Sequence, residues 1–147
     1  MKKQTKQSKS NKQKQTANEV LNYDKMNVVF YFDRLDRDGH FAFNVLRDKF
    51  NYKEVLTKIV EYSNLTWSEI KLQTHDKSNK SKHHFLEYSG LSKLARDRIS
   101  KLDMESEIDA IFSFALQNKL RLVGIRENEK FHVVWYDPEH EFCPSGK

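Results

Sequence analysis

The residues best equipped for chemistry lie near the C-terminal end of the sequence. Asp137-Pro138-Glu139-His140 places a carboxylate, a turn-forming proline and an imidazole within one short stretch. Asp at the first and Pro at the second position of a β-turn predict a reversal that returns His140 to Asp137. A carboxylate hydrogen-bonded to one imidazole nitrogen fixes the tautomer and raises the basicity of the other, as a general acid–base requires; a purely structural histidine is held the same way. His83-His84 stands just before the apolar Phe85. Neighbouring side chains of an extended segment point opposite ways, so only one of these two histidines can enter a site. Arg121, Arg126, His132, Trp135 and Tyr136 fall on β-rich runs, where such residues suit phosphate pairing and base stacking. His140-x-x-Cys143 is a spacing zinc accepts, but one cysteine and no second close ligand pair argue against a metal centre. No glycine-rich phosphate loop, Walker pattern or nucleophile elbow occurs, and four glycines leave little room for one. These residues thus offer either acid–base work and phosphate binding or purely structural roles, and no metal or cofactor is expected.

These residues need elements to position them. Val28 to Phe32 is β-branched and aromatic and reads as a first strand, closed by the charged turn Asp33 to Gly39. Tyr52, Val55, Leu56, Ile59 and Val60 recur at the spacing of one helix face. Thr66-Trp67-Ser68-Glu69 matches a capping box and predicts a short second helix through Ile70 and Leu72. His75 to Lys82 is polar and reads as a surface loop. Leu91, Leu94, Ala95, Arg98, Ile99 and Leu102 predict a third helix, starting at Ser89 or Gly90. Ile111 to Leu116, Leu120 to Arg126 and Phe131 to Tyr136 are β-rich runs at hairpin separations, and Pro138 ends the last. The class is therefore α+β: an N-terminal strand, two to three helices, then a curled three-stranded antiparallel meander. Alternation puts Arg121 with Val123 and Ile125, and Arg126 on the opposite face. It also groups His132 with Val134 and Tyr136, and Phe131 with Val133 and Trp135. The helices are expected to cover one face of the sheet and leave the other open.

Charge is unevenly placed. The net +5 includes six lysines and no acid within residues 1–18; removing those six from 26 basic residues leaves 20 against 21 acidic ones from Glu19 onward. Residues 1–19 read as a disordered basic tail and 20–147 as a single domain, whose cationic surface must be a local patch. The tail is either solubilising or a non-specific phosphate-binding arm. No apolar run approaches the roughly 20 residues of a membrane span, and no apolar stretch follows the basic N-terminus as in a secretory signal. The single cysteine fits a reducing compartment, so a cytoplasmic protein is expected.

Phe114 to Ser145, FALQNKLRLVGIRENEKFHVVWYDPEHEFCPS, resembles the C-terminal signature of the RelE/ParE toxin superfamily of bacterial and phage toxin–antitoxin systems. The shared features are the arginine strand with Arg121, Gly124-Ile125-Arg126, the Phe131 to Trp135 strand, and Asp137-Pro138-Glu139-His140. His83-His84-Phe85 before the amphipathic Leu91 to Ile99 also matches, and Phe30 to Asp36 resembles the opening strand more loosely. The resemblance implies a RelE/ParE-like fold and a toxin, with a cognate antitoxin protein and RNA (in some members ribosome-bound mRNA) as partners. Members of the superfamily differ in target: some cut mRNA, and others poison gyrase without being nucleases. A metal-independent endoribonuclease needs a base for the 2′-hydroxyl, a cation for the phosphorane and an acid for the leaving 5′-oxygen. His140, oriented by Asp137, and one of His83 or His84 are the expected base and acid. Arg121 is the expected phosphate clamp, where the family keeps its arginine; Arg126, Trp135, Tyr136 and His132 are further substrate-binding candidates. The alternatives are a non-catalytic protein-binding toxin with a gyrase-type target, or an RNA-binding adaptor.

Overall fold

The computed structural model describes residues 22–75 and 78–144; the expected tail lies outside them. The β-rich runs join one five-stranded sheet. Its strands are β1 (Val29–Tyr31), β2 (His84–Phe85), β3 (Ile111–Ala115), β4 (Arg121–Glu127) and β5 (Lys130–Asp137), in the spatial order β1-β5-β4-β3-β2. The meander β3-β4-β5 is antiparallel, as its hairpin spacings predict, and β2 adds to its edge antiparallel to β3. β1 instead pairs parallel to β5, with Phe30 opposite Phe131, so the sheet is mixed. A parallel pair needs a long crossover, and the three α-helices of the described residues lie in the segment between β1 and the meander.

The helices are α1 (Tyr52–Ser63), α2 (Trp67–Leu72) and α3 (Lys93–Lys101). α2 has the full capping box: the Glu69 N–H donates to the Thr66 hydroxyl, and Glu69 accepts from the Thr66 N–H at 2.8 Å. α3 begins later than Ser89 or Gly90, because Tyr88–Gly90 forms a 3-10 turn and Ser92 caps the helix by accepting from the Ala95 N–H. α1 presents a narrower buried stripe than its spacing suggests. Val55 and Tyr62 are buried and Ile59 half-buried, while Tyr52, Leu56 and Val60 are more than half exposed. A helix against one sheet buries a single line of side chains at i, i+4 and i+7, and the adjoining line faces solvent.

Both faces of the sheet are covered, which corrects the expectation of an open face. On one side, α1 and α2 pack Val55, Tyr62, Trp67 and Ile70 against Phe112, Phe114, Leu122, Phe131, Val133 and Tyr136. Trp67, Phe112, Phe114 and Phe131 meet there at ring separations of 4.8 to 6.4 Å, contacts worth about 0.5–1.5 kcal/mol each beyond area burial. On the other side, α3 packs Ala95 and Ile99 against Ile111, Val123, Ile125, Val134 and Trp135. Phe41 and Phe142, from irregular segments that the sequence reading left off the sheet, complete this second layer.

A β-bulge resets the alternation. Val123 pairs with Trp135 but Gly124 pairs with Val133, so Val134 has no partner. Beyond the bulge the parity flips. Tyr136 joins the face of Phe131 and Val133, and Trp135 joins the face of Val134, the reverse of the simple period-2 assignment. Gly124 permits the close approach: a Cβ there would stand 2.1 Å from the His132 carbonyl oxygen and 2.9 Å from the Phe131 ring. No helix among the described residues is long and apolar enough to cross a membrane.

Candidate functional site

The strand registers bring chemistry-bearing residues into two adjacent rows on the α3 side of the sheet. Register pairs His84 with Ser113 and Ser113 with Val123, forming one row. Ala115, Arg121 and Asp137 form the next. Asp137 reaches that face only because the Val134 bulge has shifted the phase of β5. Over these rows lies a cleft of ≈ 780 Å³ whose lining includes His84, Ser113, Arg121, Asp137 and His140. The segment after β5 forms one wall. It is tied down by the Ser92 N–H donating to the Phe142 carbonyl at 3.0 Å, and its Cys143 packs on Gly90. His75, Lys80 and Lys82, from the loop before β2, also line it.

Asp137 is nearly inaccessible, and its carboxylate accepts from the backbone N–H groups of Glu141 at 2.9 Å and Phe142 at 2.8 Å. It therefore fastens the chain reversal and makes no hydrogen bond with His140, contrary to the expected dyad. His140 sits at φ +58°, the left-handed conformation, and this turns the next two N–H groups back toward Asp137. Burial raises the Asp137 pKa, and the two N–H donors and Arg121 pull it back. The His140 ring is held below its ordinary pKa, first by burial and then by Arg121, His84, His75 and Lys119. At neutral pH it is a proton acceptor set among cations.

Arg121 is half-buried, and burial depresses its pKa against the opposing pull of Asp137. One guanidinium nitrogen, Nη1, donates to the Asn118 and Leu120 carbonyls at 2.8 and 3.0 Å. Nε and Nη2 have no protein acceptor among the described residues, which leaves donors for an oxyanion. His84 is exposed and its Nδ1 faces the Phe85 carbonyl at 3.2 Å, so Nδ1 donates and Nε2 is the free ring nitrogen.

The other expected site residues lie elsewhere. His83 points into the opposite core, between Tyr62 and Phe114, with its Nδ1 accepting from the Ala115 N–H at 3.0 Å and Nε2 against Gln73 Oε1 at 2.7 Å. Burial drives its pKa down to about 3. Arg126 lies 4.1 Å over the Trp67 ring and pairs with Asp24, which makes it a brace for α2. Trp135 is fully buried and donates through Nε1 to Asp36. Tyr136 is buried, stacks on Phe50 at 4.2 Å, and its hydroxyl accepts from the Asn51 N–H. Neither ring is open to stack on a base. His132 lies at the far end of the α3 side, between Asp33 at 2.8 Å and Glu127 at 2.9 Å.

Sequence reading passed over Ser113, Lys80, Lys82 and His75. Ser113 carried a usable signal as the one polar residue within Ile111 to Leu116. The loop residues carried none, because a polar loop looks the same whether or not it faces a cleft. His140 and Cys143 both line the cleft, but no group of three His, Cys, Asp or Glu side chains suited to a metal ion occurs among the described residues. The cleft holds Lys80, Lys82, Arg121 and three of the chain's six histidines, against Glu87 and the backbone-bound Asp137. Such a site favours an anion. No protein-family model, curated protein or solved structure matches the chain.

Proposed function

We propose that the cleft binds RNA and cleaves it without a metal ion, and that the protein is the toxin of a toxin–antitoxin module acting on mRNA in the cytoplasm. The observation that carries the enzymatic part is the convergence of His84, Arg121 and His140 on one cation-lined cleft. The toxin assignment rests on the RelE/ParE-like pattern of Phe114 to Ser145.

The chemistry follows from the roles available. His140, kept neutral by burial and neighbouring cations, takes the proton of a 2′-hydroxyl. The 2′-oxygen attacks the adjacent phosphorus, and the free donors of Arg121 stabilise the charge that gathers on the phosphoryl oxygens. The bond to the 5′-oxygen breaks, that oxygen takes the Nε2 proton of His84 in its imidazolium form, which reverts to the neutral ring, and a 2′,3′-cyclic phosphate remains. Asp137 acts only as a positioning residue, by holding the reversal that carries His140.

The test is cleavage of a labelled RNA by the wild-type protein and by the His140→Gln and His84→Gln variants. Each glutamine should lower the rate by 10²–10⁴-fold, the usual worth of one acid–base group, with the melting temperature retained. Products ending in a cyclic phosphate are expected. Folded variants that cleave at the wild-type rate would remove the acid–base assignment. Binding of RNA with no cleavage by the wild type would leave an RNA-binding adaptor.

A further inference from the structure

We infer that the RNA surface extends beyond the cleft as a track for one extended strand, running around the β3–β4 turn from Lys80 and Lys82 to Lys119 and Lys49. This rests on the reading of the cleft as an RNA site and adds the length and path of the substrate.

The cleft borders a second recess of ≈ 340 Å³, with which it shares His75, Lys82 and Arg121. That recess shares Gln117 and Asn118 with a third, of ≈ 470 Å³, flanked by Lys49 and Lys119. The three recesses therefore adjoin one another in sequence around the β3–β4 turn. Lys49, Lys80, Lys82, Lys119 and Arg121 have no carboxylate within 4.0 Å among the described residues, as is also true of Lys25, Arg37, Arg47, Lys53, Arg96, Lys101 and Lys130 elsewhere; what sets the five apart is that they line adjoining recesses, where Lys58 alone of the Lys and Arg residues is paired. The acid that faces the second recess, Glu54, is already engaged by the Gln117 N–H at 2.9 Å and by Lys58 at 3.1 Å. Glu87, exposed at the cleft, and Glu139, exposed at the third recess, are the unpaired acids among the described residues lining the track.

The turn between the recesses is braced by the same guanidinium that serves the cleft. Asn118 takes the left-handed conformation at φ +54°, and its carbonyl accepts from Arg121 Nη1. Gln117, Asn118 and Lys119 are thus exposed polar groups on a rigid bend. A small anion would need only the first cleft. Free cations spaced along three adjoining recesses suit a ligand with repeated negative charges.

The experiment is fluorescence anisotropy with labelled, uncleavable 2′-O-methyl RNA, a trinucleotide and a nonanucleotide, titrated across a salt series. The proteins compared are the wild type and the Lys49→Gln/Lys119→Gln double variant, whose two positions are exposed. The wild type should bind the nonanucleotide more tightly and with the steeper salt dependence. The double variant should lose about 0.7 in log–log slope for each missing phosphate contact with the nonanucleotide, and its loss of affinity for the trinucleotide should be much smaller. Equal affinity for both lengths, or an unchanged nonanucleotide slope in the double variant, would overturn the track. Displacement of the nonanucleotide by a poly-glutamate peptide of equal charge would also overturn it, in favour of an acidic protein partner. Because these RNAs cannot be cut, loss of the catalytic reading would leave this measurement intact.

Discussion

Lowering the pH from 7 to 5 should cost the fold about 2 kcal/mol through His83 alone. The imidazole is almost wholly buried, and its Nδ1 is occupied as an acceptor by the Ala115 N–H. Protonation would set a new N–H against that donor inside an aromatic core formed by Tyr62 and Phe114. The folded pKa is accordingly about 3. In the unfolded chain the ring titrates near ~6.5. The unfolded state therefore binds its proton first as the pH falls, and stability present at neutral pH is lost progressively between those two values. At pH 5 the linkage RT ln(1 + 10^1.5) comes to about 2 kcal/mol. The measurement is urea unfolding at both pH values for the wild type and His83→Asn, where the amide oxygen can still accept from Ala115 but does not titrate. The variant should be less stable at pH 7, by about 1–3 kcal/mol for the lost packing and the unpaired Gln73. Its loss between pH 7 and pH 5 should be smaller than the wild type's by about 2 kcal/mol. Equal losses in the two proteins would refute the reasoning, because the other titrating groups are common to both.

Two further substitutions probe the frame around the cleft. Gly124→Ala forces a Cβ to within 2.1 Å of a backbone oxygen, so it should cost more than about 3 kcal/mol or prevent folding; a thermal melt matching the wild type would disprove the close approach. Asp36→Ala strands Arg98, which it binds at 2.7 and 2.8 Å, together with the Trp135 indole N–H at 3.0 Å. The expected loss is about 3 kcal/mol by chemical denaturation, and part of it should return in Asp36→Ala/Arg98→Met, where the orphaned charge is gone.

Local rules account for much of this architecture. The capping box locates α2, and period-2 runs with hairpin spacings locate β3, β4 and β5. What those rules miss is set by partners distant in sequence. The phase of β5 depends on a bulge opposite Gly124, which a count by twos along one strand does not reveal. Covering of the α3 side depends on Phe41 and Phe142 arriving from irregular segments, so Trp135 was open to a binding role until its neighbours were known. Within the candidate site, His84, Arg121, Asp137 and His140 are visible as residue types and meet in space. The hydrogen bond expected between Asp137 and His140 is not made, because β-turn chemistry places the backbone and leaves the side-chain partner open.

The parallel pairing of β1 with β5 has a consequence for how the chain is made. Val29, Phe30 and Tyr31 leave the ribosome early, yet their partners are Lys130, Phe131 and His132. Until those residues have been synthesised, the run from Val28 to Phe32 is an unpaired aromatic edge of high β-propensity, the kind of segment that aggregates. Closing so long a loop is also slow, so the sheet should finish at the strand that was translated first. Substitutions that weaken β1 pairing would then reduce soluble yield by more than their effect on the finished fold suggests.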